Sequence, residues 1–308
     1  MNDVLRIFAG IYPEKRSNDI DIDLLNLCVS LLHKNDDAYQ RDKDFFMKIG
    51  IVIAYHNFVN KFILPCLGSI QDHVENHKFV CVYDNESIHK DNYKVIDICK
   101  KTKDFLYIRI DDQHKNGSLT GAWNKGIDLC IQNECELIFI MNDDICINET
   151  WKYFVSSINE DNVIYGPITN NPGHAWIDKR KRFSINHLLH RSQKKQYSST
   201  GKNRDEEPVR VGFVNGFCFG CTTTTYLSNR YNDKYYFNPN FPFEGNETEF
   251  QLRLFSLEPT DDNQKNKKIL SSLTAHNRAV IIPRCFVYHY KNHAWKIGGG
   301  RFSEEQFI

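Results

Sequence analysis

The run Glu136-Leu137-Ile138-Phe139-Ile140-Met141-Asn142-Asp143-Asp144 stays apolar almost to its end and then turns acidic. It reads as a buried strand that delivers two carboxylates to its C-terminal tip. In open α/β sheets, ligands sit just outside the carboxyl ends of the strands. Adjacent carboxylates there repel each other unless a cation or a shared proton relieves them. Hard oxygen donors of this kind suit Mg²⁺ or Mn²⁺, which often arrive with substrate phosphates. An acidic turn after a strand would show the same residues, so other segments must decide.

Upstream, strands and helices alternate. Residues 49–54 form a short apolar run that ends at Tyr55-His56-Asn57, and 58–70 read as a helix. Residues 78–83 are a second strand, closed by Asp84-Asn85-Glu86-Ser87. A helix over 92–100, a strand over 105–110 and a helix over 121–132 lead to the acid-tipped strand. This order implies βαβ units and a mostly parallel central sheet flanked by helices. After Asp144 the alternation breaks down. A strand is expected over 163–168, then a long polar loop over 169–208 that carries Lys179-Arg180-Lys181-Arg182. Residues 211–224 are apolar and punctuated by glycine, 247–256 helical, 258–268 a polar loop, and 279–290 the last strand. Residues 1–46 read as an extension with an amphipathic helix over 21–33, ahead of one domain over 47–308 with a tail at 294–308.

Composition narrows the class. The 39 Lys+Arg balance 39 Asp+Glu, without the basic excess usual for a nucleic-acid binder. Apolar content of 41% with 13% aromatic residues fits a globular chain. No apolar run approaches the length of about 18 residues that a membrane helix needs. Met1-Asn2-Asp3-Val4-Leu5-Arg6 lacks the apolar stretch of a signal peptide, so a cytoplasmic protein is expected. Ten cysteines are scattered singly apart from Cys218-Phe219-Gly220-Cys221, a pattern that fits a reducing compartment. That lone C-x-x-C has no second pair at zinc spacing.

Several strand-end signals fall on one sheet edge. Asn57 and Asp84-Asn85 follow the first two strands, and Asn142-Asp143-Asp144 the fourth. His114-Lys115-Asn116-Gly117 and Gly121-Ala122-Trp123-Asn124-Lys125-Gly126 span the exit of the third strand and the next helix. Asp84 is suited to accept from an imide N–H of a base and to bond ribose. The glycine-containing helix start offers backbone N–H groups to phosphate. Further on, Glu247 and Glu249 lie in the first turn of a helix, where capping acids are also common. His289 ends the last strand, where a histidine can serve as a metal ligand.

This ordered set resembles a GT-A (Rossmann-like) glycosyltransferase of the inverting family-2 type, across residues 48–293. The resemblance implies a nucleotide-diphosphate sugar donor, a UDP-sugar first, and a hydroxyl acceptor, expected to be a glycan. It implies Mn²⁺ or Mg²⁺ held by Asp144 and His289. Asn142 stands where the family's first Asp is usual and is a further candidate ligand. Tyr55, Asn57, Asp84, Asn85, Asn116, Gly117, Asn124, Asp143 and Asn215 are implied contacts to the nucleotide sugar. Glu247 falls on the position of the general base, in an Asn246-Glu247 pair where Glu-Asp is usual. Glu249 is its rival.

Two other readings compete. A sugar-1-phosphate nucleotidyltransferase shares a related sheet but needs a Gly-rich, basic loop after the first strand. Here that loop is Ala54-Tyr55-His56-Asn57-Phe58. A catalytically inactive nucleotide-sugar or glycan-binding module with the same fold is the other, left open by Asn142 and Glu247. Trp295 and Gly298-Gly299-Gly300-Arg301 are expected to close over the nucleotide, and an oligomer is compatible with the chain.

Overall fold

A computed structural model of the protein describes residues 47–75, 77–110, 118–169, 208–272 and 278–290. The N-terminal extension with its expected helix, Asn116 and Gly117, the basic run 179–182 and the tail with Trp295 lie outside these residues.

Strand β1 (Ile49–Tyr55) is a β-branched run buried at all but one position. It pairs in parallel with β2 (Lys78–Asp84) on one side and with β4 (Leu137–Asn142) on the other. Strand β3 (Phe105–Arg109) extends the sheet beyond β2. Helices α1 (Leu64–His73, entered through a π-helical turn over Val59–Ile63), α2 (Asn92–Lys101) and α3 (Leu119–Gln132) connect them. The chain runs outward from β1 to β3, then returns to the opposite side of β1 as β4. That reversal is the switch point at which doubly wound sheets bind ligands.

Register brings the strand ends together. Tyr55 lies opposite Asp84, Asp84 opposite Arg109, and Ala54 opposite Asn142. Beyond β4 the sheet becomes mixed. Strand β8 (Cys218–Thr222) runs antiparallel to β4 and places Cys218 beside Met141. Strand β6 (Ile164–Thr169) lies between β8 and β9 (Ala279–His289), and short β7 (Val209–Arg210) pairs with β9. The two-residue β5 (Ile145–Cys146) pairs antiparallel with the end of β9, with Ile145 opposite His289. The parallel half is the part that periodicity describes. The mixed half, in which β6 runs parallel to β9, belongs to the segment where strand–helix alternation stops.

Side-chain alternation splits the core into two layers, one on each face of the sheet. Ile51, Ile53, Phe139 and Met141 pack with Leu67 of α1 and with Trp151 and Phe154 of α4 (Trp151–Ser157). Val52, Ile138 and Ile140 pack with Trp123 of α3, Tyr226 of α5 (Thr223–Ser228), Phe250 of α6 (Asn246–Leu254) and Leu270 of α7 (Asn263–Ser272). A strand covered on both faces is apolar at successive positions, hence the continuous runs in β1 and β4.

The polar loop expected over 258–268 is corrected by α7. Asn266 is buried and uses its side-chain amide locally. Its Oδ1 accepts from the amide and hydroxyl of Thr260, and its Nδ2 donates to the Thr260 carbonyl. A buried polar residue of this kind hides the helix from a hydropathy pattern. No helix among the described residues is long and apolar enough to cross a membrane.

Candidate functional site

The first wall of the site is the pair of turns after β1 and β2. Asn57 and Phe58 both adopt left-handed backbone angles, φ 56° and 45°. Such angles persist in bulky residues only where surrounding structure holds them. Here the holding group is the Asn57 side chain. Its Oδ1 accepts from the Ser87 hydroxyl at 3.2 Å and the Ile88 amide at 3.0 Å, while the Asn57 amide donates to Ser87 Oγ. His56 donates from Nδ1 to the Asn85 carbonyl at 2.6 Å, and its Nε2 accepts from Asn57 Nδ2 at 3.0 Å, a tautomer assigned from these partners. Asn57 therefore ties one strand end to the next, and Tyr55 points inward, with its buried hydroxyl bonded to Asn92.

Asp84 is fully buried and accepts several hydrogen bonds. Oδ1 accepts from the Ser87 amide at 2.6 Å, and Oδ2 accepts from Asn92 Nδ2, Tyr107 Oη and Arg109 Nη1 at 2.7, 2.6 and 3.1 Å. Four protein donors thus converge on the carboxylate that is expected to meet a base. Beside Asp84, Asn85 Oδ1 is buried and has no hydrogen-bond partner among the described residues. Asn92, Tyr107 and Arg109 are the residues that sequence reasoning missed here. They converge through sheet register and one helix, which their separation along the chain does not show.

Asn124, an expected contact to the nucleotide sugar, ties two elements together. Its Oδ1 accepts from the amides of Tyr236 and Phe237, and its Nδ2 donates to the Phe237 carbonyl. These bonds fasten the segment before α6 to α3 and use one of the two N–H donors of the carboxamide.

The second wall is the acidic tip of β4. Asp144 is buried, and its Oδ1 has no hydrogen-bond partner among the described residues. Nε2 of His289 lies 3.4 Å from that same oxygen, longer than a hydrogen bond. The β5–β9 pairing places it there, reinforced by the bond from the Tyr290 amide to the Asp144 carbonyl at 2.9 Å. Asp143, half-buried, has its carboxyl pushed well above the usual range by burial and then by the charge of Asp144. Among the described residues no three His, Cys, Asp or Glu side chains form a cluster able to hold a metal by themselves. The orphaned Asp144 oxygen beside an imidazole nitrogen nevertheless fits one edge of a divalent-metal site, with substrate oxygens supplying further ligands.

The third wall is the start of α6. Gly245 takes φ 78° at the N-cap, a left-handed angle that glycine adopts without a Cβ clash. Asn246 is buried. Its Nδ2 donates to Thr120 Oγ1 and its Oδ1 accepts from the Glu247 amide. Glu247 stays half-exposed, and among the described residues its carboxylate meets only the Thr248 hydroxyl, at 3.5 Å. Glu249, the rival acid, is 1% exposed and ion-paired with Arg253 at 2.7 and 3.0 Å. Arg253 also bonds the carbonyls of Tyr236 and Asn229. Glu249 is thus a strut of the helix, and Glu247 is the acid that faces outward.

One strap joins these walls. The Gln251 side chain bonds both the amide and the carbonyl of Val214, at 2.7 and 2.9 Å. Asn215 follows, half-buried. A Cβ on Gly216 would lie 2.7 Å from Glu247 Cγ. The Phe217 ring stacks on His289, with centroids 5.0 Å apart and planes at 19°, and its carbonyl accepts from the Asn142 amide. Gly216 and Phe217 are functional candidates that the sequence marks only by a glycine in an apolar run.

No curated protein sequence matches the chain. Among solved structures, GalNAc-T7 with UDP, GalNAc and Mn²⁺ aligns with a TM-score of 0.55 at 12% identity, over 81% of this chain and 45% of that one. TarS of S. aureus in complex with UDP gives 0.46 at 14% identity, over 79% and 60%. The mannosyltransferase PcManGT from Pyrobaculum calidifontis, in complex with GDP-Man and Mn²⁺, gives 0.48 at 12%, over 82% and 60%. The first likeness supports the GT-A fold, and the other two scores are too low to carry an argument. The chain spans between 45% and 60% of the length of these proteins. The sequence profile described as Glycosyl transferase family 2 matches residues 50–222, from β1 to the end of β8. The chain therefore belongs to glycosyl transferase family 2.

Proposed function

We propose that the protein transfers a sugar from a nucleotide-diphosphate sugar, a UDP-sugar first, to a hydroxyl acceptor on a glycan, with inversion at the anomeric carbon. The observation that carries this reading is the division of labour between two acids. Among the described residues, Asp144 is buried beside His289 with an oxygen that takes no hydrogen bond, while Glu247 is outward and makes no ion pair. The first suits an electrophile that holds a diphosphate, the second a proton acceptor.

Asp144 and His289 would hold a divalent ion, Mn²⁺ or Mg²⁺, with Asn142 and Asp143 at its edge. Such an ion supplies neutralisation of the charge that develops on the departing diphosphate. Asn85 and Asn57 lie at the β1–β2 end of the sheet, where the switch point favours a nucleotide. Asn215 lies on the strap between the walls, within reach of the sugar in this reading. An acceptor hydroxyl has a high pKa and needs a base in the transition state. Glu247 takes that proton. Attack from the side opposite the diphosphate inverts the anomeric centre.

The test is a thermal-shift and hydrolysis screen of UDP-, GDP- and dTDP-sugars with Mn²⁺, Mg²⁺ or EDTA. Metal-dependent stabilisation by one nucleotide class, with slow release of that nucleotide, is the expected result. Stabilisation without release from any donor would favour an inactive binding module, and no stabilisation at all would remove the donor site.

A further inference from the structure

We infer that Phe217 and Gly216 are a pair of positioning residues that set the metal ligand and the base separately, an inference that rests on the reading of His289 and Glu247 given above. The two are consecutive in one strap, and each faces a different wall of the site. Phe217 is 5% exposed, and its ring lies nearly parallel to the imidazole of His289. Rotation of that imidazole about its own bond would break the stack, so the ring fixes the plane in which Nε2 is presented to Asp144. The Phe217 carbonyl holds the Asn142 amide at 2.9 Å, which fixes the end of β4 from the same residue. A Cβ on Gly216 would come within 2.7 and 2.8 Å of Cγ and Cδ of Glu247. The missing side chain is therefore the seat of the Glu247 stem.

The strap can do this because it is held from both ends. Gln251 clamps Val214 to α6 and also donates to the Glu247 carbonyl at 3.1 Å. Cys218, immediately after Phe217, is locked into β8 opposite Met141. Three residues between fixed points, Asn215, Gly216 and Phe217, have little freedom to relax, so a change at Gly216 or Phe217 is passed to the side chain that it supports. A residue that orients a metal-binding histidine typically changes metal affinity about 10–100-fold when it is lost. A displaced catalytic group instead lowers the rate of the bound complex, about 10²-fold for a shift near 1 Å.

The experiment measures two quantities on three variants of the full chain. Free Mn²⁺ is titrated by electron paramagnetic resonance, and nucleotide release is measured at saturating donor and Mn²⁺. Phe217→Leu keeps apolar volume and loses the flat ring; it is expected to bind Mn²⁺ about tenfold more weakly, with the rate recovered by added Mn²⁺. Phe217→Tyr keeps the ring and is expected to restore the affinity. Gly216→Ala is expected to leave Mn²⁺ affinity in place and to lower the saturated rate about tenfold or more. Should Phe217→Leu fail to fold, Phe217→Met carries the same prediction. Equal Mn²⁺ affinity in Phe217→Leu and wild type, or parallel losses of both quantities in Phe217→Leu and Gly216→Ala, would overturn the inference. A wild-type protein that binds Mn²⁺ but releases no nucleotide overturns the transferase reading alone, because the ratio of Mn²⁺ affinities still decides Phe217.

Discussion

Gly216 lies so close to Glu247 that a single added carbon would sit 2.7 Å from the glutamate Cγ. That closeness links the loop before β8 to the acid at the start of α6 and leaves the carboxylate half-exposed. The stem of Glu247 is seated against a residue without a side chain. A glutamate there and a glycine opposite are mutually explained.

Glu247 and Glu249 separate cleanly by experiment. Glu247→Gln is expected to lose about 10²–10⁴ in rate, the usual range for removing a general base, with an unchanged melting temperature. Glu249→Gln leaves Arg253 without its buried partner and is expected to destabilise the fold by on the order of 3 kcal/mol. Paired melting curves and rates check both. The reverse pattern would exchange the two roles.

Removal of Asp144 tests the metal corner. Asp144→Ala is expected to abolish the Mn²⁺-dependent part of nucleotide binding while leaving EDTA-resistant binding in place. Calorimetric titration of a nucleoside diphosphate with Mn²⁺ and with EDTA measures the difference. Identical Mn²⁺-dependent binding in the variant would contradict the assignment.

Asp143 makes a prediction about pH in the metal-free protein. Burial and Asp144 raise its folded pKa above the unfolded value of about 3.9. The folded state then holds a proton that the unfolded state has lost, so stability falls as pH rises from the unfolded pKa through the folded one. Asp143→Asn removes this slope and is expected to melt higher than wild type at neutral pH in EDTA. Melting curves across the acid range decide it, and equal slopes for the two proteins would remove the repulsion argument.

Asp84 is expected to behave as a structural residue. Its two oxygens accept from four donors. In Asp84→Asn the new amide would face at least one of them, at a cost of about 1–3 kcal/mol. A melting temperature lowered by several degrees is the expected result. A variant that melts like wild type but loses nucleotide affinity would restore Asp84 to the base.

Much of the parallel half of the fold is legible in the sequence because doubly covered strands leave long apolar runs at 49–54, 78–83 and 137–141. The acid tip of β4 and His289 at the end of β9 are legible for the same reason, since a polar residue closing an apolar run marks a strand end. Strand direction is not written in hydropathy, so the antiparallel placement of β8 is not. Helix α7 is concealed because its buried face includes Asn266 and part of Lys267. The hydrogen bonding of Asp84 Oδ2 depends on Asn92, Tyr107 and Arg109, which only the register of β2 with β3 and the packing of α2 bring together. The role of Phe217 depends on a ring contact with a residue in another strand, which no local pattern encodes.

The central claim is that Glu247 acts on a donor held at the Asp144–His289 corner. The most direct measurement is nucleotide release by wild type and Glu247→Gln, using the donor and metal that give the largest thermal shift, with donor affinity measured in parallel. The account predicts equal donor affinity and a rate lower by about 10²–10⁴ in the variant. Equal rates in the two proteins, each binding the donor, would contradict it.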